Sequence, residues 1–190
     1  MNNIRLKDIV ELGCRLYVFI FLNVYGIGKI LGAQFYTPKR IPAEIAAIPL
    51  GQVKGFELAW TFMGHSYAYI LFIGCSQLLG AWLLLSRKFK LIGVMILIPI
   101  MVNIIVFDII FLDAYGALGS AVIYFIMLLV ILFINKEKIV LAVKDLTAFS
   151  TAEKTTLKSR VTRIGLALLF IALLFAVDQL IVNMLGHGKG

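Results

Sequence analysis

Charge, sulfur and imidazole are all scarce in this chain. Only 15% of its 190 residues are charged, against roughly a quarter in ordinary globular proteins. Two cysteines, Cys14 and Cys75, stand on different apolar runs with no Cys-x-x-Cys between them, which excludes a thiol–disulfide enzyme. Two histidines, His65 and His187, are far apart, so neither a zinc site nor a bis-histidine haem finds enough ligands within one chain. No phosphate-cradling glycine loop and no nucleophile motif is present. No catalytic constellation emerges, and the expectation is a protein without one and without a metal.

What fills the space is apolar. Hydrophobic residues make up 62% of the sequence, more than a domain of this size can hide from water, so a soluble enzyme, a disordered tail and a disulfide-stapled secreted domain are all excluded. A helix crosses the hydrocarbon core with about 20 mostly apolar residues. Five runs qualify: Ile9–Ile30, Ser66–Leu85, Leu91–Leu112, Ala114–Ile134 and Val161–Leu185. None shows the alternation of a barrel strand. The first is too long for a signal-peptide core and lacks a small-x-small cleavage site after it, so it reads as an uncleaved signal anchor.

Positive charge sets the orientation. With a cytoplasmic N-terminus, that side receives Arg5, Lys7, Arg87, Lys88, Lys90, Lys136, Lys138, Lys144, Lys154, Lys158, Arg160 and Arg163. The other side keeps only Lys29, Lys39, Arg40, Lys54 and Lys189. This is a positive-inside pattern, with the C-terminus outside a bacterial cytoplasmic (inner) membrane. The net charge of +8 then reflects basic loops against anionic headgroups rather than nucleic acid.

Residues 1–135 are expected to form a four-helix transmembrane bundle, with an outer interfacial segment at about 31–65 broken by Pro38, Pro42 and Pro49. Within it, Val53, Phe56, Trp60 and Met63 recur at helical spacing and predict a short amphipathic helix. Residues 136–160 read as a polar cytoplasmic loop, in which Ser150, Thr151, Thr155 and Thr156 announce a helix start. Residues 161–190 supply a fifth helix and a short tail containing His187.

Ionisable and amide side chains at membrane depth are costly, so each needs a partner or a purpose. Glu11 and Arg15, four apart with the acid first, are expected to pair on one helix face. Lys29 lies about 30 Å along the first helix, and Asp108 about 26 Å along the third. An ion pair between them is therefore geometrically open, as is separate exposure of each to headgroups. Asn23, Gln77 and Asn103 lie deeper and serve either as interhelical glue or as the floor of an outward-opening pocket for the polar head of a quinone or lipid. Tyr25, Trp60, His65 and Tyr69 would line its mouth. Pro99 frees the carbonyl of Met95 and makes room for such a cavity. Gly28-x-x-x-Gly32 permits a close helix contact.

A resemblance rests on Tyr25-Gly26-Ile27-Gly28-Lys29, Trp60-Thr61-Phe62-Met63-Gly64-His65-Ser66, Tyr69, Phe72-Ile73-Gly74, Leu79-Gly80, Leu83-Leu84-Leu85-Ser86-Arg87-Lys88, Gly93 and Asn103. In order and spacing this run, Tyr25 to Phe133, resembles the DoxX-like family of small bacterial membrane proteins. The resemblance implies a four-helix bundle and association with membrane redox complexes, including thiosulfate–quinone oxidoreductase subunits. Gln77 stands where related sequences carry glutamate, and Asp113-Ala114-Tyr115-Gly116 replaces a Val-Pro-Val-Lys type of turn. Two functions follow as expectations. The first is a non-catalytic accessory or scaffold subunit bound to other membrane or envelope proteins. The second is a quinone-linked redox protein, or lipid or quinone binder, using the pocket, with quinone the one cofactor in view.

Overall fold

The computed structural model describes residues 5–112, 115–148 and 157–185. Every regular element among them is helical: α1 (Leu6–Ile30), α2 (Ala43–Ala46), a 3-10 turn (Leu50–Gln52), α3 (Gly55–Gly64), α4 (Tyr67–Leu85), α5 (Lys90–Phe111), α6 (Tyr115–Ile134), α7 (Lys136–Thr147) and α8 (Leu157–Leu185). Five of them, α1, α4, α5, α6 and α8, are long and apolar enough to cross a membrane, within a few residues of the ends expected from hydropathy. The chain is an all-helical membrane protein. It divides into two units, Met1–Ala142 and Val143–Gly190.

In the first unit, α1 packs on α4, α4 on α5, α5 on α6, and α6 back on α1, closing a four-helix ring. Each helix turns one stripe inward. On α1 the stripe is Glu11, Arg15, Val18, Leu22, Gly26 and Lys29, spaced by steps of three or four residues as bundle packing requires. Val18 and Leu22 meet Ala81 and Leu84 of α4, Val94, Leu97 and Met101 of α5, and Ala121, Tyr124, Leu128 and Ile131 of α6 in one core. The remaining faces carry exposed Phe72, Trp82, Met95 and Phe133. Apolar side chains on both faces are what a lipid solvent permits.

Backbones approach closely at glycines, though not at the expected pair. A Cβ at Gly28 would meet nothing within 4 Å. Gly32 instead ends α1: at φ +70° it holds the left-handed position, with Gly32 N–H donating to Lys29 O and Ala33 N–H to Gly28 O, the double bond of a Schellman stop. Contact falls to Gly26 against Gly74 between α1 and α4, and to Gly93, whose Cβ would sit 2.7 Å from the Gly80 carbonyl oxygen.

A polar clamp closes one end of the ring. Arg15 donates from Nε to the Leu84 carbonyl and from Nη2 to that of Leu85, the latter at 2.6 Å, satisfying the open C-terminal carbonyls of α4. Glu11 lies 3.8 Å from Arg15, as its spacing predicts. Its stronger partners are Lys90 at the start of α5, in direct ionic contact, and Asn135 past the end of α6, whose Nδ2 donates at 3.2 Å. One carboxylate thus ties three helices.

The segment joining α1 to α4 contains the expected amphipathic helix as α3, which packs on α4 and α5. A Cβ at Gly64 would overlap the backbone carbonyl of Tyr36, so this crossing needs glycine. The segment expected as a polar loop over 136–160 is corrected: its first half is the helix α7. Lysines at 136, 138 and 144 obscured Ile139, Val140, Val143 and Leu146, which recur at helical spacing on one face. Ser150, Thr151, Thr155, Thr156, Asp113, Ala114 and His187 lie outside the described residues. In the second unit, α8 is apolar around its whole circumference from Ile164 to Val177.

Gly93→Ala should destabilise the bundle by about 1–3 kcal/mol through overpacking, whereas Gly28→Ala should leave it unchanged or slightly stabilised, as read by thermal unfolding in detergent. Glu11→Leu should cost about 3 kcal/mol or more, because it leaves the buried Arg15 and the partly buried Lys90 without their counter-charge. Asp8→Ala, which breaks the exposed Arg5–Asp8 pair, should cost under about 1 kcal/mol.

Candidate binding cavity within the bundle

At the opposite end from the clamp, the same inward stripes carry polar groups. One helical turn beyond Gly26, Lys29 is buried with 8% of its surface exposed. The close approach of Gly26 and Gly74 brings α1 and α4 near enough for Lys29 Nζ to donate to Gln77 Oε1 at 2.8 Å. Gln77, 2% exposed, in turn donates from Nε2 to the Leu22 carbonyl at 3.4 Å. From α5, Asp108 joins them, 7% exposed. Its carboxylate interacts electrostatically with Lys29. It makes no direct ion pair with that lysine and accepts no hydrogen bond from the described residues; neither expectation for this pair holds, and both side chains instead line the same buried space.

Two adjoining cavities, called lobes below, share these residues in their walls. The larger, about 510 Å³, is bounded by Phe72, Ile73, Ile96, Pro99, Ile100 and Phe107, with Ser76, Asn103 and Tyr69 along its wall. The smaller, about 260 Å³, reaches toward α6 and is bounded by Tyr25, Phe56, Trp60, Met101 and Tyr124. Lys29, Gln34, Trp60, Gln77, Ile104 and Asp108 line both. Together the lobes fall in the size range of small-molecule pockets, with apolar walls and a few convergent polar groups.

Seven of the residues singled out from sequence therefore gather around this space: Tyr25, Lys29, Trp60, Tyr69, Gln77, Asn103 and Asp108. Asn103 is more exposed than its depth implied. Two do not belong to it. Asn23 follows Leu22 by one residue, about 100° around the helix from the inward stripe, where it donates to the Phe19 carbonyl at 2.7 Å and accepts from Trp82 Nε1 at 3.0 Å. His65, just past the end of α3, lines a separate surface groove of about 790 Å³ with Ile45, Phe62 and Tyr69.

Sequence reasoning missed Gln34, Phe56, Ser76 and Tyr124 as lining residues. Tyr124 and Phe56 had a signal, each lying on an inward stripe. Gln34 had none, since its position depends on the turn after Gly32. Cys14 and Cys75 are both free thiols. Among the described residues no three His, Cys, Asp or Glu side chains gather as a metal site.

Comparison with known proteins gives one relative of note. The chain is 36% identical over 124 residues to the uncharacterized protein YwoB of Bacillus subtilis (strain 168), an alignment covering 65% of this chain and 75% of that protein. No family model matches the chain. No solved structure matches it. On the extent of that shared sequence, the chain belongs to the family of the Bacillus subtilis protein YwoB.

Proposed function

We propose that this protein is a membrane-embedded binding protein whose helical bundle holds one amphiphile, a lipid or a quinone, with its polar head against Lys29, Gln77 and Asp108. The observation that carries this reading is the pair of lobes converging on those three buried side chains. A lysine, an amide and a carboxylate in an apolar bundle cost several kcal/mol unless something uses them. The apolar walls of the larger lobe suit a chain or ring system, and the shared floor suits a head. The resemblance to the DoxX-like family is the ground for keeping a quinone in this class beside a lipid.

In this reading the protein resides in a bacterial cytoplasmic membrane with its N-terminus inside, so that the clamp of Glu11, Arg15 and Lys90 faces the cytoplasm and the cavity lies toward the outer leaflet. The other reading is a non-catalytic accessory subunit. It draws support from the broad apolar surface carrying Phe72, Trp82 and Phe133, which partner helices can cover as readily as lipid.

Extraction in mild detergent followed by organic-solvent extraction and mass spectrometry separates them. The expected result is about one lipid or quinone per chain. Gln77→Leu, which removes a hydrogen bond to a charged group worth about 1.5–3 kcal/mol, should lower retention about tenfold or more. Thermal unfolding of the variant serves as a check that the bundle persists. An empty wild-type cavity with a stoichiometric protein partner would favour the accessory subunit and reject the binding protein.

A further inference from the structure

The binding reading leaves the nature of the head open, and the charges around the cavity narrow it. Lys29 and Asp108 together contribute no net charge to the shared floor. A head of net charge would add an uncompensated charge to a low-dielectric site, which costs several kcal/mol. Anionic heads and simple cations are both disfavoured for that reason. The head must therefore be neutral overall while answering two opposite charges.

The smaller lobe says which end goes where. Asp108 is 93% buried, by its 7% exposure, lines both lobes and accepts no hydrogen bond from the described residues. Of the two lobes only the smaller is also lined by Tyr25, Phe56 and Tyr124, with Trp60 shared between them. Their rings are already clustered: Phe56 and Trp60 have centroids 4.3 Å apart, and Tyr25 and Tyr124 6.3 Å apart. Aromatic side chains around a carboxylate are the chemistry that recognises an ammonium group, by ring quadrupole and by charge. Lys29 has three donors and commits one to Gln77, which leaves donors for an anionic oxygen at the boundary of the two lobes. The larger lobe then receives the apolar remainder.

We infer that the cavity takes a zwitterionic amphiphile, its ammonium seated in the aromatic lobe against Asp108 and its phosphate or carboxylate against Lys29. This rests on the binding function proposed above and specifies its ligand. The same head chemistry exists in soluble zwitterions, and the larger apolar lobe favours the lipid form.

The test is native mass spectrometry of the full chain released from nanodiscs containing equal amounts of phosphatidylethanolamine and phosphatidylglycerol with identical acyl chains. One phosphatidylethanolamine per chain, enriched about tenfold over phosphatidylglycerol, is the expected result. Asp108→Asn should bring the two lipids to near parity. Should that variant fail to fold, Trp60 gives a second measure: Trp60→Leu should reduce the enrichment severalfold, and Trp60→Phe should keep most of it. Equal retention of both lipids by the wild type would overturn the zwitterion and leave the binding function standing. Retention of neither would overturn both. Displacement of the bound lipid by millimolar glycerophosphoethanolamine would overturn the amphiphile in favour of a soluble zwitterion, whereas persistence of the lipid supports it.

Discussion

The structure depends on charged side chains held inside an apolar helical bundle. In water a lysine and an aspartate on facing helices would simply turn outward. Here α1 and α5 bury Lys29 and Asp108 on the same inward stripes as Leu22 and Met101, where lipid offers the charges no refuge. Their opposite signs keep the site neutral, and the Gln77 amide holds the lysine in place. The rest of the bundle is arranged so that this group of three exists: glycine contacts bring α1 to α4, and α3, packed on α4 and α5, carries Trp60 to the wall of both lobes.

The two ends of the ring treat buried charge differently. At the Glu11 end every group is consumed: the carboxylate by Lys90 and Asn135, the guanidinium by two helix-end carbonyls. That is the satisfied network expected of a structural tie. At the Lys29 end the Asp108 carboxylate accepts no hydrogen bond from the described residues, Glu57 on α3 has a buried oxygen without a partner among them, and two lobes open beside Asp108. Between them runs a core of aliphatic residues including Val18, Leu22 and Leu97. A closed end gives rigidity, and an open end gives somewhere for a ligand to sit.

Much of the architecture was legible in the sequence because lipid imposes long apolar runs. The helix ends of α4, α5 and α6 fall where hydropathy changes. What faces the core was harder to read, since the side turned to lipid is as apolar as the side turned inward. Polar residues broke that ambiguity for Lys29, Gln77 and Asp108, and misled at Asn23, whose amide is satisfied locally by Phe19 and Trp82. Glu11 showed its helix partner Arg15 in the sequence, but Lys90 and Asn135 are distant in the chain and carry no local pattern. The α7 helix was hidden by its lysines. Of the aromatic lining, Tyr25 and Trp60 were legible and Phe56 and Tyr124 were not picked out, because on their helices they resemble any other apolar residue of an inward stripe.

The most direct test is a structure of the protein determined in a lipid nanodisc. The account predicts elongated density filling the larger lobe, with its head in hydrogen-bonding reach of Lys29 and Asp108 and its end among the four aromatic rings. A cavity collapsed by Lys29 closing directly onto Asp108, with no density in either lobe, would contradict it.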